Sequence, residues 1–126
     1  MYKKLLLIIP VLLLSGCNDN TDSYAGYRKM LAKDFRSVCL GQMQQRYINA
    51  GHDYANASIE FKEGIATFCN CMGNQVAKSL PNKLVKKTQE YELKTDNLPI
   101  TYLWPMPEFK QIWDKSFVAC NPTHNN

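Results

Sequence analysis

The hydrophobic residues of this chain recur at intervals typical of helices over most of its length. Between Tyr27 and Tyr47 an apolar side chain stands at every fourth position, which places these residues on one face of a helix. We expect this first helix to run from about Tyr24 to Ala50, because Gly51 is a typical helix stop. An interior glycine costs about 1 kcal/mol relative to alanine, so Gly41 is the position where this helix would bend.

Two further helices follow after a polar turn. The second is expected to begin near Ser58 and to end at Pro81, since proline cannot continue a helix. Its apolar stripe comprises Ile65, Phe68, Met72, Val76 and Leu80. The third is expected to run from about Asn82 to Lys94 and carries a basic run of Lys83, Lys86 and Lys87. We interpret this run as a solvated face, with contact to anionic lipid head groups as the alternative.

The segment from Thr95 to Met106 has a different pattern, because two prolines accompany a dense group of apolar residues. We expect no helix there and an extended stretch at Ile100–Trp104. A last helix is expected to begin at Pro107, since proline suits the first helical position, and to reach Cys120. The predicted fold is therefore mainly α: a small three-to-four-helix bundle over residues 24–122, with a proline and aromatic loop before the last helix and a loose tail at 123–126.

Residues 1–16 are typical of a secretory signal peptide. Lys3 and Lys4 supply positive charge, and the apolar run from Leu5 to Leu14 is shorter than the ~20 residues that span a membrane. The residues Leu14-Ser15-Gly16-Cys17 resemble the lipobox of bacterial lipoproteins. This resemblance covers residues 1–17 only, and we recognise no family for residues 18–126.

The resemblance implies cleavage before Cys17, palmitate-type acyl chains on Cys17 and attachment to the cell envelope. The residue after the lipidated cysteine is Asn18 rather than aspartate, and the sorting rule of the family then favours the outer membrane, with the domain facing the periplasm. Residues 17–23 are predicted to form the lipidated cysteine and a polar tether, and residues 18–23 reach at most ~20 Å.

Charge and length narrow the class of protein further. The chain has 15 Lys plus Arg against 11 Asp plus Glu; removing residues 1–16 takes Lys3 and Lys4, so 13 against 11 leaves a net charge of +2. That charge is too small for a nucleic-acid-binding surface. The remaining 110 residues make one domain, which excludes a multidomain enzyme.

Four further cysteines lie in the predicted helices: Cys39, Cys69, Cys71 and Cys120. An even number in an exported chain favours two disulfide bonds. Cys69 and Cys71 point about 200° apart on a helix, so a bond between them would require the turn to unwind. Helical phase does not decide between the two remaining pairings; we prefer Cys39–Cys69 with Cys71–Cys120. A redox pair or metal site at Cys69 and Cys71 would need a thioredoxin-like pattern or a nearby histidine, and neither is present.

Candidate catalytic residues are few. His52 stands in a polar turn and His124 in the tail, where neither is predicted to be held in a rigid pocket. Glu60 and Glu63 are explained as acidic residues at a helix start. The glycines are scattered and form no phosphate-binding loop. We therefore expect no enzymatic activity, no cofactor and no metal.

The best sequence candidates for a partner-binding surface are Tyr102, Leu103 and Trp104. These residues either fold back over the helices as a lid or stay exposed as an anchor for a partner, since tyrosine and tryptophan are favoured at binding hot spots. The leading hypothesis is a non-enzymatic protein-binding lipoprotein of the bacterial envelope, an assembly accessory or pilotin-like adaptor. The alternatives are an immunity-type inhibitor of a periplasmic toxin or hydrolase and, third, a thiol-disulfide redox protein using Cys69 and Cys71.

Overall fold

A computed structural model describes residues 23–121 of the chain. The predicted signal peptide, the lipidated Cys17, most of the tether and the tail from residue 122 onward lie outside the described residues. Within residues 23–121 the chain is 83% helical and contains no strand. The prediction of a mainly α, disulfide-bonded bundle is therefore confirmed.

Five α-helices and one 3-10 turn make up this part of the chain. They are α1 at Ala25–Asn49, the 3-10 turn at Tyr54–Asn56, α2 at Ile59–Ser79, α3 at Asn82–Thr95, α4 at Pro99–Leu103 and α5 at Pro107–Cys120. The four longer helices begin and end within a residue or so of their predicted bounds, because their ends carry clear local signals. Ser58 caps α2 by accepting a hydrogen bond from the backbone N–H of Phe61 at 3.1 Å. Gly51 follows α1 with a φ of 92°, a conformation that glycine adopts without strain.

The segment before α5 differs from its prediction. The expected extended stretch at Ile100–Trp104 is wrong, because Pro99–Leu103 forms the short helix α4. Pro99 occupies the first turn of this helix, where its missing N–H would have no intrahelical partner. Pro105 stands after the helix has ended and so does not interrupt it.

Helices α1 and α2 form an antiparallel hairpin. The order of their contacts shows this, since the ring of Tyr47 packs on that of Phe61 at 4.7 Å while Arg28, near the start of α1, donates a hydrogen bond to the carbonyl of Leu80 at 2.9 Å. The two helices approach closely at Gly73. A Cβ atom built there would overlap the backbone carbonyl oxygen of Ala32 and lie 3.2 Å from Arg36 Cβ, so a glycine is required for this approach.

Helix α5 packs across this hairpin and completes the core. Phe35 of α1 lies 5.5 Å from Phe109 and 6.5 Å from Trp113, measured between ring centroids. Further along α5, Phe117 meets Phe68 of α2 at 5.2 Å in an edge-to-face arrangement. The buried core around these rings is mostly aliphatic and aromatic.

The two disulfide bonds join the helices of this core. Cys39–Cys69 links α1 to α2 with a Cα–Cα distance of 5.4 Å, and Cys71–Cys120 links α2 to α5 with a distance of 5.8 Å. The preferred pairing is thereby confirmed. The two cysteines of α2 face different neighbours, as their angular separation on a helix requires.

Helix α3 packs against the first half of α1 through a polar contact. The hydroxyl of Tyr27 donates a hydrogen bond to Glu92 Oε1 at 3.0 Å. Burial, followed by the Glu92 hydrogen bond, raises the pKa of Tyr27 above its ordinary value. Burial, followed by the charge of Glu92, also raises the pKa of Asp34. This junction therefore disfavours additional negative charge.

In the described range, none of the helices combines the length and the apolar composition that crossing a bilayer requires.

Candidate functional site

The three residues predicted to bind a partner differ in how far they are exposed. Leu103 has an exposed fraction of 0% and belongs to the core, so its selection as a binding residue is corrected. Trp104 is half-buried, and its ring packs on those of Phe109 and Trp113 at 6.1 and 5.4 Å. Tyr102 is half-buried against Tyr91 at 4.9 Å. These contacts match the predicted lid, with part of Trp104 and of Tyr102 left at the surface.

The exposed part of Trp104 borders a shallow depression between α1 and α4. Its volume is about 500 Å³, and its lining residues are Val38, Gln42, Ile100, Thr101, Trp104 and Pro105. Most of this surface is apolar, but it is open and offers no charged group. It is a minor candidate for contact with a partner.

A second depression lies between α1, α2 and α5, and we call it the apolar groove. Its volume is about 390 Å³. Its lining residues are Met43, Glu60, Phe61, Gly64, Ile65, Phe68, Phe117 and Asn121. Among these residues Glu60 carries the only charge. An apolar depression with a polar group at its margin is typical of sites that receive a hydrophobic side chain or helix face of a partner.

Local packing holds the groove open. The ring of Phe61 stacks on Tyr47, whose ring also contacts Tyr54 at 6.0 Å, so its side chain is fixed while 39% of it stays exposed. The edge-to-face pair of Phe68 and Phe117 forms another wall. A Cβ atom built on Gly64 would meet no other atom within 4 Å. Gly64 therefore lines the groove without placing a side chain in it.

Additional apolar surface lies on the helix ends that carry the groove. Ile48 and Ile59, on either side of the α1–α2 connection, are 50% and 69% exposed. Val118, directly after Phe117 in α5, is 49% exposed. None of these three residues lines the groove, and isolated exposed apolar residues are ordinary on protein surfaces.

The residues considered for catalysis do not come together. His52 is exposed and packs on Tyr47 at 4.7 Å, and His124 lies outside the described residues. Glu60 and Glu63 lie exposed at the start of α2. Over residues 23–121, no group of three or more His, Cys, Asp or Glu side chains is placed to hold a metal ion. The sulfurs of Cys69 and Cys71 are bonded to other cysteines rather than to each other.

Comparison of the chain with protein-family models, with curated proteins and with solved structures finds no match. The candidate site therefore rests on its own geometry. The sequence places Ile65 and Phe68 in the apolar stripe of the second helix but does not predict the groove that they line. The signal that was available is Gly64, a residue without a side chain inside an apolar helix face.

Proposed function

We propose that this chain is a lipid-anchored, non-enzymatic protein-binding module of the bacterial envelope, an assembly accessory or pilotin-like adaptor that faces the periplasm from the outer membrane. In this proposal the lipid on Cys17 holds the domain at the membrane, and the apolar groove receives an apolar segment of another envelope protein. The observation that carries the proposal is the groove, which aromatic side chains line and in which Gly64 places no side chain.

The position of the groove supports this division of roles. Met43 lies 18 residues after Ala25 along α1, which corresponds to about 27 Å of helix. A chain anchored at Cys17 enters the domain at the opposite end of α1. The groove would therefore be presented away from the anchor and toward proteins of the periplasm.

The scaffold is suited to such a role outside the cytoplasm. Two disulfide bonds join the three helices that line the groove. Disulfides persist in oxidising compartments, where they stabilise small domains with modest cores. A rigid surface loses little conformational entropy when a partner binds, and this improves affinity.

The experiment compares Gly64→Leu with a matched control, Gly41→Leu. Both glycines are exposed helix-interior positions where a Cβ atom meets nothing within 4 Å, so both substitutions raise helix propensity similarly. Only the substitution at Gly64 places a side chain in the groove. Full chains carrying either change are immobilised, and proteins captured from envelope extract are quantified by mass spectrometry.

We expect Gly64→Leu to reduce capture of a specific partner at least about tenfold, which corresponds to about 1.4 kcal/mol, while Gly41→Leu retains it. Equal capture by both variants would contradict the proposal. A Trp104→Ala variant is included because a selective loss there would move the binding surface to α4. The identity of the captured protein separates an assembly client from a toxin or hydrolase.

A further inference from the structure

A row of positive charges runs along the first half of α1, outside the apolar groove. Lys29, Lys33 and Arg36 follow one another at intervals of four and three residues, which places them on one face of the helix. Asn70 and Asn74 lie opposite them on α2. These five residues and Ala32 line a cleft of about 280 Å³ between the two helices.

A second cleft adjoins the first and has the same character. Its volume is about 390 Å³, and it shares Lys29, Ala32 and Asn74 with the first while adding Arg28 and Lys78. We call the two together the cationic cleft. The residues that line it include five cations and no carboxylate.

The cleft lies between α1 and α2 and includes small residues in its lining. Ala32 and Ala77 are among them, and the backbone carbonyl of Ala32 also lies against Gly73. The longer side chains of Lys29 and Arg36 then stand on the margin of the cleft. The cations are thus set around a defined depression instead of being dispersed over a convex surface.

One of the five cations already has a structural role. Arg28 donates hydrogen bonds to the carbonyl oxygens of Ala77 and Leu80, at 2.6 and 2.9 Å, and so caps the end of α2. The other four cations are Lys29, Lys33, Arg36 and Lys78. Like charges one turn apart destabilise a helix, so an anionic ligand would relieve the repulsion between Lys29 and Lys33.

We propose that the cationic cleft binds the phosphate groups of anionic phospholipids and lays the start of α1 and the end of α2 against the membrane surface. Lysine ammonium groups and the arginine guanidinium pair readily with phosphate oxygens. The side-chain amides of Asn70 and Asn74 supply further N–H donors.

The placement of the cleft favours a membrane over a free phosphate compound. Lys29 lies four residues after Ala25, about 6 Å along α1, at the end where the chain arrives from residue 17. Residues 18–23 reach at most ~20 Å, so a lipid anchor would keep these cations within reach of the head groups. The apolar groove, at the other end of α1, would stay accessible to a protein partner. This orientation rests on the proposed anchoring at Cys17.

The test is lysine footprinting of the full chain purified from bacterial membranes. The chain is reconstituted into vesicles of phosphatidylcholine alone or of equal parts phosphatidylcholine and phosphatidylglycerol, isolated by flotation, and acetylated briefly. Modification of each lysine is then measured by mass spectrometry. Lys110 and Lys115, which are exposed on α5 outside the cleft, serve as internal references.

We expect modification of Lys29, Lys33 and Lys78 to fall at least about fivefold in anionic vesicles, relative to the references. Each basic residue near an anionic surface raises the binding constant about fivefold, so the cleft cations together would hold the docked orientation in most molecules and shield these lysines. High salt should reverse the protection, because it screens the charges. A Lys29→Gln/Lys33→Gln variant should lose the protection at Lys78 while keeping the same circular dichroism spectrum.

Several results would overturn this proposal. Equal modification in both vesicles would show that the cleft does not contact phospholipid, and protection of Lys83, Lys86 and Lys87 instead would place the contact on α3. The same protection by inorganic phosphate without vesicles would assign the cleft to free phosphate. Flotation with anionic vesicles only would support the cleft while contradicting the lipid anchor. Flotation with neither kind of vesicle would contradict both the cleft contact and the lipid anchor. The capture experiment with Gly64→Leu tests the proposed function separately and does not affect this footprint.

Discussion

Replacing Gly73 with alanine tests the contact on which the α1–α2 hairpin depends. In the structure a Cβ atom at this position would overlap the carbonyl oxygen of Ala32 and lie 3.2 Å from both the Cβ and the backbone N of Arg36. Ordinary carbon–oxygen contacts lie at about 3.3 to 3.6 Å. The neighbouring atoms belong mostly to backbone, so the new methyl group is accommodated only if the helices move apart.

The magnitude follows from two opposing effects. Overpacking a tight contact costs about 1 to 3 kcal/mol, and an overlap with backbone belongs at the upper end of that range. Alanine is about 1 kcal/mol more favourable than glycine inside a helix. The net expectation for Gly73→Ala is a loss of about 2 kcal/mol. The Cys39–Cys69 disulfide, one helical turn away, opposes the separation that would relieve the overlap.

Thermal and urea unfolding with the disulfides intact measure this change. For a domain of this size, 1 kcal/mol corresponds to about 4 to 8 °C, so the midpoint for Gly73→Ala should fall by roughly 10 °C. Gly41→Ala and Gly64→Ala are the matched controls, because a Cβ atom at either position meets nothing within 4 Å. Both should be up to about 1 kcal/mol more stable than the parent chain. A Gly73→Ala variant as stable as these controls would refute the close approach of the helices.

Two further predictions concern the disulfides and the α1–α3 junction. Replacing Cys71 and Cys120 by serine opens a link between residues 49 positions apart and should lower the free energy of unfolding in urea by about 4 kcal/mol; no loss would mean that this link does not hold α5. Burial and, second, the negative charge of Glu92 raise the pKa of Asp34. The folded chain therefore becomes more stable as the pH falls through this raised pKa, and it lacks this added stability at neutral pH. Asp34→Asn should therefore unfold at a higher temperature than the parent chain at pH 7 and at about the same temperature near pH 3, below the ordinary pKa of aspartate at about 4; a lower temperature at pH 7 would contradict the assigned environment.

The helices were predictable because their ends and their apolar faces carry strong local signals. The cap at Ser58, the break at Pro81 and the repeated apolar spacing of α1 are properties of short stretches of sequence. For the disulfides, helical phase excludes a bond between Cys69 and Cys71 and leaves two pairings. The choice between these two depends on how α1 and α2 align, which local signals do not specify. Helix α4 is not predicted because two prolines argue against a helix interior, although the preference of proline for the first helical position, which predicts the start of α5 at Pro107, applies equally to Pro99.

The apolar groove and the cationic cleft could not be predicted from local sequence signals. Periodicity shows that Ile65 and Phe68 share a face of α2, but whether that face is covered depends on the angle at which α5 crosses it. The cationic cleft likewise lies between two helices, α1 and α2, whose relative placement periodicity does not give. Its charges were nevertheless visible in the sequence, as the spacing of Lys29, Lys33 and Arg36 along one helix face.

Photo-crosslinking in living bacteria tests whether the apolar groove binds a protein partner in the envelope. Benzoylphenylalanine replaces Phe61 in the groove or, as a control, Leu93, an 80% exposed apolar residue on α3. We expect a discrete crosslinked product from position 61 that disappears when Gly64→Leu is added, and none from position 93. No product at position 61, or the same product from both positions, would contradict the proposed binding at the groove.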